Sequence, residues 1–551
     1  MSKAIHKLHK GRIVTLWKGS PEIGGKLVKP NVSAAMYSDA LQAKLTSAGY
    51  EVPSPVDVYP FPGHYAQPRD CQREMLKFQL KHKRCYNTSE PRTGKSAPVA
   101  WEIDIDVKYN NKKRFLILAP LSTLLDTWRS EIFGICTSIP AFYSTQGGTG
   151  NLRRALENAQ HRTGPQIFVV NFDKFWRLLP EWMAWAPDSI YIDEASDFNN
   201  PDARRSKSLI ALAQKLPHCK IRALTGTPFP NRPTDAWSVA RLINPNTPKH
   251  FGAFRRMTMT KDPFSQYKWH VKPEAKQILA ELIQPSIRFR TDEVNDMPEH
   301  EWYSVRAEMT PAQAKMYKEM KTDMVTEDRG RVITANTAGT RIWKLLQIAS
   351  GVCYDTEGVP LVIGAKNKVE ELRRLAREAP GQMIVMSKFT AVQKYLIQEL
   401  RKEFNVGHIN GTVPSKERQR RIDDFQSGKL DLMVMHPGPT KYGLKLHAAS
   451  HTTWFGPSYS ALEFGQGSSR MRGPGTGKTS VIKLSCCPLE EEIFDMIEGR
   501  MIHEQETLRL AKDVDINMSD EEKAELWAKF ERENSVGTKL KDIYRRLREE
   551  K

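Results

Sequence analysis

Two short stretches carry the residue types that bind the phosphates of a nucleotide. SEPRTGKS runs from Ser89 to Ser96, and GPGTGKTS runs from Gly473 to Ser480. A phosphate loop needs backbone N–H groups at a strand-to-helix turn, a lysine that neutralises phosphate and a hydroxyl that binds magnesium. Both stretches supply the lysine and the hydroxyl, so the residues that follow each stretch must decide between them.

The context favours the earlier stretch. After Lys95 the chain carries apolar residues at helical spacing, which predicts a helix directly behind the loop. After Lys478 comes SVIKLSC, whose β-branched residues predict a strand. A strand offers the phosphates no helix N-terminus, so we interpret the later stretch as a turn, with a phosphate of nucleic acid as the alternative contact for Lys478.

An acidic pair at the end of a buried strand supports the same choice. Asp193 and Glu194 close the strand-like segment SIYIDEAS, about a hundred residues after Lys95. Hydrolysis of a nucleoside triphosphate needs carboxylates that hold magnesium and orient the attacking water. We find no comparable pair after Lys478.

The elements that must position these groups follow an α/β pattern. Strand-like runs ending in small, polar or acidic residues begin at Arg114, Gln166 and Ser189. QMIVMS, DLMVMHP and SVIKLSC repeat the design after residue 360. We therefore predict two tandem RecA-like lobes with parallel sheets. The predicted organisation is an accessory segment over residues 1–62, an ATP-binding lobe over 63–298, a second lobe over 299–500 and a helical tail over 501–551.

The composition indicates which class of molecule the protein binds. The 551 residues include 83 Lys and Arg against 64 Asp and Glu, which gives a net charge of +19 and indicates a polyanion such as nucleic acid as partner. Charge alone is equally compatible with a basic protein that has no such partner. The sequence has no apolar run of membrane-spanning length and no secretory signal, so we expect a cytoplasmic location. The seven cysteines are scattered without a CxxC pair, which predicts reduced thiols.

The motifs, taken together, resemble a known family. PRDCQRE, SEPRTGKS, ILAPLSTLLDTW, IDEAS and LTGTPFPNRPTDAW fall in the order and spacing of the first lobe of superfamily 2 helicases. The TGTP, Asn231 and Trp237 pattern is similar to the Swi/Snf-type branch, the double-stranded DNA translocases, and GHINGTVPSKERQRR and QGSSRMRG resemble second-lobe motifs. The compact length favours a viral or bacterial form.

This resemblance implies an ATP-dependent DNA translocase or helicase that uses ATP and Mg²⁺ and acts on double-stranded DNA. It implies roles for three groups of residues. The catalytic residues would be Lys95, Asp193, Glu194, Arg470 and Arg472, with the two arginines as fingers from the second lobe. The nucleotide would contact Gln72, Arg92, Thr93, Gly94, Lys95 and Ser96, with Ser96 and Asp193 on the metal. Nucleic acid would contact Pro120, Ser122, Thr225, Gly226, Thr227, Lys388 and Gly411.

The sequence also departs from the family pattern. Arg92 stands where a glycine is expected, Ser196 replaces a histidine, and Arg470 and Arg472 are separated by one residue instead of two. These departures leave open a nucleic-acid-binding clamp with a weakened ATP site. A second alternative is the motor subunit of a restriction or repair system, whose nuclease would be on a partner because the sequence has no convincing nuclease cluster outside the motor. Phe229 and Trp237 are predicted to pack in the core rather than to stack on bases.

Overall fold

The computed structural model describes residues 2–19, 21–62, 68–121, 123–136, 141–144, 148–265, 268–294, 300–328, 331–335, 337–438, 446–471, 477–514, 518–519 and 521–529. The chain divides into two compact units. Unit one contains the residues up to Val294 and those from Glu504 onward, and unit two contains Asn295–His503.

The N-terminal segment is a small antiparallel sheet with one helix. Its elements are β1 (Ser2–Lys3), β2 (Ile5–His9), β3 (Arg12–Lys18), β4 (Lys26–Lys29), β5 (Val32–Met36), α1 (Asp39–Ser47) and β6 (Tyr50–Glu51). The four longer strands pair in the order β2-β3-β5-β4. The stretch SAAMYSDALQAKL looks helical in sequence, yet its first four residues belong to β5 and only the part from Asp39 forms α1, because Ser38 caps the helix by accepting from Leu41 N.

The rest of unit one alternates strands and helices. Its strands are β7 (Arg84–Asn87), β8 (Arg114–Leu118), β9 (Ala141–Ser144), β10 (Gln166–Val170), β11 (Ser189–Asp193), β12 (Lys220–Leu224), β13 (Met259–Lys261), β14 (Trp269–Val271) and β15 (Ser286–Ile287). Its helices are α2 (Asp70–Lys81), α3 (Ser96–Tyr109), α4 (Ser130–Ile135), α5 (Thr149–Gln160), α6 (Phe172–Arg177), α7 (Leu179–Trp185), α8 (Arg204–Lys215), α9 (Trp237–Ile243), α10 (Phe251–Thr258), α11 (Ala275–Leu282) and α12 (Thr291–Val294).

Seven of these strands form a parallel sheet in the order β15-β7-β12-β11-β8-β10-β9 among the described residues. Alternate residues of β8 point to opposite faces, so that Phe115 and Ile117 enter one hydrophobic cluster and Leu116 and Leu118 enter another. Both faces are therefore covered, as parallel sheets require. Phe229 and Trp237 lie in the second of these clusters, which confirms the prediction of core packing.

Buried ion pairs join α3, the sheet and the N-terminal segment. Arg222 on β12 donates to both carboxylate oxygens of Glu102 at 3.0 and 2.6 Å. Lys220 on the same strand lies 2.9 Å from Asp106 on α3 and 3.1 Å from Asp39 on α1. Buried charges are tolerated when they are paired in this way, and the pairs place the N-terminal segment against the helix that follows the first phosphate loop.

Unit two contains a second sheet. Its strands are β16 (His300–Arg306), β17 (Val325–Asp328), β18 (Arg331–Thr334), β19 (Val352–Tyr354), β20 (Pro360–Val362), β21 (Gln382–Met386), β22 (Val406–Ile409), β23 (Leu432–Met435), β24 (Ala449–Trp454) and β25 (Thr479–Ser485). Its helices are α13 (Pro311–Thr322), α14 (Ala338–Ala349), α15 (Lys366–Glu378), α16 (Thr390–Leu400), α17 (Ser415–Gln426), α18 (Ala461–Ser468) and the start of α19 (Pro488–Asp513). Six described strands form a parallel sheet in the order β16-β25-β24-β21-β23-β22.

Two parallel sheets with helices confirm the predicted fold class. The helix predicted after Lys95 is α3, and the strand predicted after Lys478 is β25. All seven cysteines are buried and free, in agreement with the prediction of reduced thiols. In the described part of the chain, no helix has the length and apolar character needed to cross a bilayer.

Candidate nucleotide-binding site

The first phosphate loop joins β7 to the N-terminus of α3. Arg92 and Gly94 have φ angles of +70° and +80°, the left-handed region in which a glycine is unstrained. Arg92 thus adopts the conformation of the glycine expected at its position. A Cβ on Gly94 would lie 2.5 Å from Gln72 Nε2, so a larger residue would strain the backbone and displace the Gln72 amide.

Lys95 points back into the loop that carries it. Its Nζ donates to the carbonyl oxygens of Ser89 at 2.7 Å and Glu90 at 2.9 Å. Desolvation lowers the pKa of Lys95, and the negative charges of Glu194, Asp193 and Glu90 oppose that shift. The ammonium group is therefore near enough to the predicted acidic pair for those charges to act on its pKa. The Thr93 hydroxyl donates to Glu90 O at 2.8 Å within the same loop.

Sheet order explains this convergence. The strand β12 lies between β7 and β11, and the pairs Asp193↔Leu224 and Leu224↔Asn87 put the three strand ends in one row. The carboxyl ends of parallel strands share one edge of a sheet, which is where ligands bind in α/β folds. The phosphate loop, the TGTP turn and the acidic pair therefore leave the sheet side by side.

The carboxylate of Asp193 is held in place by the segment after β8. Trp128 Nε1 donates to Asp193 Oδ2 at 2.9 Å, and Thr123 Oγ1 donates to the same oxygen at 3.5 Å. Burial raises the pKa of Asp193, while the Trp128 bond and the charge of Lys95 lower it. Trp128 and Thr123 were not predicted as site residues, although both lie in the motif ILAPLSTLLDTW.

The TGTP turn contacts the acidic pair directly. Thr225 Oγ1 lies 3.3 Å from Glu194 Oε2 and 3.5 Å from Ser196 Oγ, and it accepts from Thr227 N at 3.2 Å. A Cβ on Gly226 would lie 2.8 Å from Pro91 Cδ, so the turn also packs against the phosphate loop. The TGTP turn and the phosphate loop are therefore in close contact.

Gln72 lies over the phosphate loop at the start of α2. Its Nε2 donates to Gly94 O at 3.2 Å, and its Oε1 accepts from Arg69 N at 3.1 Å. A cavity of about 450 Å³ opens beside it, with walls from the start of α2 and from the segment that follows β15. Its lining residues are Pro68, Arg69, Asp70, Cys71, Phe289, Glu293 and Val294.

Arg288 fixes the loop from the other side and was missed in the sequence. Its guanidinium donates to Thr88 O at 2.6 Å, Glu90 Oε1 at 2.9 Å and Gln505 Oε1 at 2.6 Å. The neighbouring Thr291 N donates to Glu90 Oε2 at 3.0 Å. Nothing local in the sequence marks Arg288, because its partners lie about two hundred residues away on both sides of it.

These residues fit a magnesium-bound nucleotide. A hydroxyl, an ammonium and a carboxylate come from Ser96, Lys95 and Asp193 around the same loop. Oxygen ligands of this kind suit Mg²⁺. Among the described residues, no separate cluster of three or more His, Cys, Asp or Glu side chains is arranged to hold a metal.

The residues predicted to contact nucleic acid have mixed positions. Pro120, Thr225 and Gly226 are buried, and Thr225 links loops within the site. Contact of these three residues with nucleic acid stays a prediction. Thr227 is half-buried and Gly411 is exposed. Lys388 is paired with Glu463 at 2.7 Å, and Ser122 lies outside the described residues.

The arginines of the second unit are only partly described. Arg470 is half-buried in the turn that follows α18, and Arg472 lies outside the described residues. Lys478 is exposed and lies 3.4 Å from Glu301 on the neighbouring strand β16. That pairing is consistent with a surface turn ahead of β25.

Family models match most of both units. The model described as SNF2-related domain matches residues 68–355, which is more than half of the chain. The model described as helicase conserved C-terminal domain matches residues 367–472. The motifs predicted from the sequence fall within these two ranges.

Three similar proteins show what kinds of protein share sequence with this chain. The chain is 24% identical over 397 residues to "Putative protein p41" of Acyrthosiphon pisum secondary endosymbiont phage 1, covering 69% of this chain and 82% of that protein. It is 23% identical over 387 residues to the "Putative ATP-dependent helicase/translocase YwqA" of Bacillus subtilis, covering 65% of this chain but only 40% of that protein. It is 22% identical to a "DNA repair and recombination protein RAD54-like" of Drosophila pseudoobscura pseudoobscura, covering 67% of this chain and 52% of that protein.

A solved structure, the "Sulfolobus solfataricus SWI2/SNF2 ATPase core in complex with dsDNA", is 21% identical and covers 83% of this chain and 97% of that chain with a TM-score of 0.39. The family matches cover both units and agree with the order of the motifs around the site. The chain belongs to the SNF2-related domain family, within the Swi/Snf-type superfamily 2 helicases.

Proposed function

We propose that this protein is an ATP-dependent translocase or helicase that hydrolyses ATP to ADP and phosphate and acts on nucleic acid, with duplex DNA as the substrate. The convergence of Lys95, Asp193, Glu194 and Thr225 at one edge of the first sheet carries this proposal. The net charge of +19 supports a polyanionic track.

The residues of the phosphate loop and of the acidic pair have separate roles in this hydrolysis. Lys95 leaves its two loop carbonyls and binds the terminal phosphates, and the backbone N–H groups at the start of α3 bind the phosphate oxygens. Ser96 and Asp193 would hold Mg²⁺, which neutralises charge on the phosphates. Glu194 orients the attacking water and accepts its proton. The Thr225 hydroxyl, within the TGTP turn, contacts Glu194 and so links the turn to that carboxylate.

The nucleotide base is assigned to the cavity beside Gln72. Phe289 offers an apolar surface to the base, and the Gln72 amide both donates and accepts, which suits the edge of adenine. The same amide bonds to Gly94 O, so base recognition and loop shape are coupled.

The finer assignments from the sequence remain proposals. They include Arg470 and Arg472 as fingers, Arg92 and Thr93 as nucleotide contacts, the nucleic-acid contacts and the boundaries at residues 62, 298 and 500. Separate alanine variants of Arg470 and Arg472, assayed for phosphate release, identify the finger, because removing it should lower turnover by about a thousand-fold or more.

The test of the proposed function is phosphate release with no nucleic acid and with duplex DNA, forked DNA, single-stranded DNA and RNA at low salt. Stimulation by duplex DNA is expected. A folded protein whose hydrolysis no nucleic acid stimulates would contradict the proposal. Tight ATP binding without phosphate release would select the weakened clamp, for which the bonds of Lys95 to its own loop are the supporting observation.

A further inference from the structure

The N-terminal sheet has one buried face and one exposed face. Alternate residues of a strand point to opposite sides, and on β3 the residues Ile13 and Trp17 are buried while Arg12 and Lys18 are exposed. The helix α1 packs on the buried side, where Leu41 joins the same hydrophobic cluster as Trp17. We call the opposite side of β2, β3, β4 and β5, which carries Arg12 and Lys18, the outer face.

Five basic side chains surround the outer face. They are Lys7 on β2, Arg12 and Lys18 at the ends of β3, and Lys26 and Lys29 on β4. All five are exposed, and in the described part of the chain none of them forms an ion pair with Asp or Glu. The sequence over residues 1–38 contains seven Lys or Arg and one Glu. These five residues, which we call the basic rim, therefore concentrate positive charge on one face.

The middle of the outer face is apolar. Leu16 on β3 lies opposite Ala34 on β5, and Val14 lies opposite Met36. The side chains of Val14, Leu16 and Ala34 are half-buried, and Met36 is 42% exposed. The four described strands contain no Asp or Glu. A ligand that fits this face offers negative charge at its margins and apolar surface between them.

The sheet is attached to α3 through hydrogen bonds. Ile13 N donates to Tyr109 Oη at 3.2 Å, and Asp39 N donates to Asn110 Oδ1 at 2.8 Å. Tyr109 is the last residue of α3, and this helix begins directly after the phosphate loop. A ligand on the outer face would therefore be held by the same unit that carries the candidate nucleotide site.

Duplex DNA matches both the charge and the dimensions of this face. The strands β2 and β4 are the two edges of the sheet and lie three strand spacings apart, which is about 14 Å. The major groove of a duplex is about 12 Å wide, and thymine methyl groups lie between the two phosphate backbones that flank it. We propose that the outer face binds duplex DNA, with the basic rim on the phosphates of both strands and the apolar centre between them. This inference rests on the proposed function for its choice of nucleic acid.

The test measures the salt dependence of DNA binding by the full chain without ATP. Fluorescence anisotropy gives the affinity for a labelled blunt duplex at a series of salt concentrations. Each phosphate contact contributes about 0.9 to the slope of log affinity against log salt concentration. Lys26→Gln/Lys29→Gln removes two cations from the basic rim, so its slope should be shallower than that of the wild type by about 1.8. Lys26→Arg/Lys29→Arg keeps both charges and should keep the wild-type slope.

The charge-matched control is Lys44→Gln/Lys215→Gln. Lys44 is on α1, which packs on the other side of the sheet, and Lys215 is the last residue of α8. Both are exposed, and among the described residues neither forms an ion pair with Asp or Glu. This control loses the same charge as Lys26→Gln/Lys29→Gln and should keep the wild-type slope.

The apolar centre is tested by a second pair of variants. Met36→Glu places a carboxylate on the outer face between the two edges. Leu27→Glu adds the same charge on β4, but Leu27 pairs with Ser33 on the buried side of the sheet, although its side chain is 58% exposed. Met36→Glu should weaken duplex binding more than Leu27→Glu, because its charge would face the DNA.

Equal slopes for the wild type and Lys26→Gln/Lys29→Gln would overturn the inference, and so would an equal change in the control Lys44→Gln/Lys215→Gln. The absence of duplex binding at low salt would also overturn it and would leave an acidic protein as the partner for the outer face. Failure of the proposed function has a different signature, because it is read from ATP hydrolysis that no nucleic acid stimulates. DNA binding through the outer face without such stimulation would contradict the proposed function alone.

Discussion

The buried carboxyl group of Glu504 predicts a pH dependence of stability that a single substitution should remove. Glu504 lies on α19, is 3% exposed and accepts from Phe229 N at 2.9 Å. Burial raises its pKa from 4.5 to about 8, against the bond from Phe229 and the charge of Arg288, which lower it. The folded protein therefore holds a proton at neutral pH that the unfolded chain releases.

The sign and magnitude of this pH dependence are set by the difference between the folded and unfolded pKa values of Glu504. Between pH 4.5 and about 8 the unfolded chain binds fewer protons at Glu504 than the folded protein, so the free energy of unfolding falls as the pH rises. At about 1.4 kcal/mol per pH unit, the ionisable carboxyl of Glu504 lowers the free energy of unfolding by about 3 kcal/mol at pH 7, relative to a side chain that cannot ionise. Glu504→Gln cannot ionise and keeps an oxygen for Phe229 N, so this cost should disappear.

Thermal unfolding from pH 5 to pH 9 measures the difference between the variant and the wild type. For a unit of about 300 residues the midpoint should shift by about 1.5 °C per kcal/mol, so the advantage of Glu504→Gln should grow by about 4 °C between pH 5 and pH 7. Other titrating groups cancel in this difference. The control is Glu506→Gln, which lies on the same helix as Glu504 and loses an ion pair with Lys276 of α11; it should show no such growth. A constant difference between wild type and Glu504→Gln would refute the reasoning.

The other predictions concern the phosphate loop and the acidic pair. Arg92 has a left-handed backbone conformation, which costs an L-residue about 1 kcal/mol. Urea unfolding should therefore show that Arg92→Gly is about 1 kcal/mol more stable than Arg92→Ala. Equal stabilities would contradict a strained turn at this position. Trp128→Phe removes a bond that lowers the pKa of Asp193, so the acid limb of the ATPase pH profile should move to higher pH. The Mg²⁺ concentration for half-maximal activity should rise about ten-fold, since a hydrogen bond to a charged group contributes about 1.5–3 kcal/mol; an unchanged profile would remove Trp128 from the site.

The sequence predicted the parts of the fold and site that depend on local pattern. Buried parallel strands are continuous apolar runs, so β8, β10 and β11 begin at the predicted residues. The choice between Lys95 and Lys478 likewise depended on the helix or strand that follows, and α3 and β25 agree with it. The TGTP pattern did not predict that the buried hydroxyl of Thr225 lies 3.3 Å from Glu194 Oε2, because that contact depends on how β11 and β12 lie side by side.

Contacts between distant segments were not predictable. The N-terminal segment gave no readable role in sequence, yet Asp39 pairs with Lys220, 181 positions away. Arg288 reaches Gln505 across 217 positions, and Phe229 reaches Glu504 across 275. No periodicity or motif marks such pairs, since each depends on how the sheet brings chain segments together.

The most direct test of the account is the rate of ATP hydrolysis in the presence of duplex DNA for the wild type, Lys95→Ala and Lys478→Ala. Lys95 lies in the loop ahead of α3, where the charges of Asp193 and Glu194 act on it, whereas Lys478 is exposed ahead of β25 and paired with Glu301. We expect Lys95→Ala to abolish turnover and Lys478→Ala to retain it. Loss of turnover in Lys478→Ala with retention in Lys95→Ala would contradict the assignment of the nucleotide site.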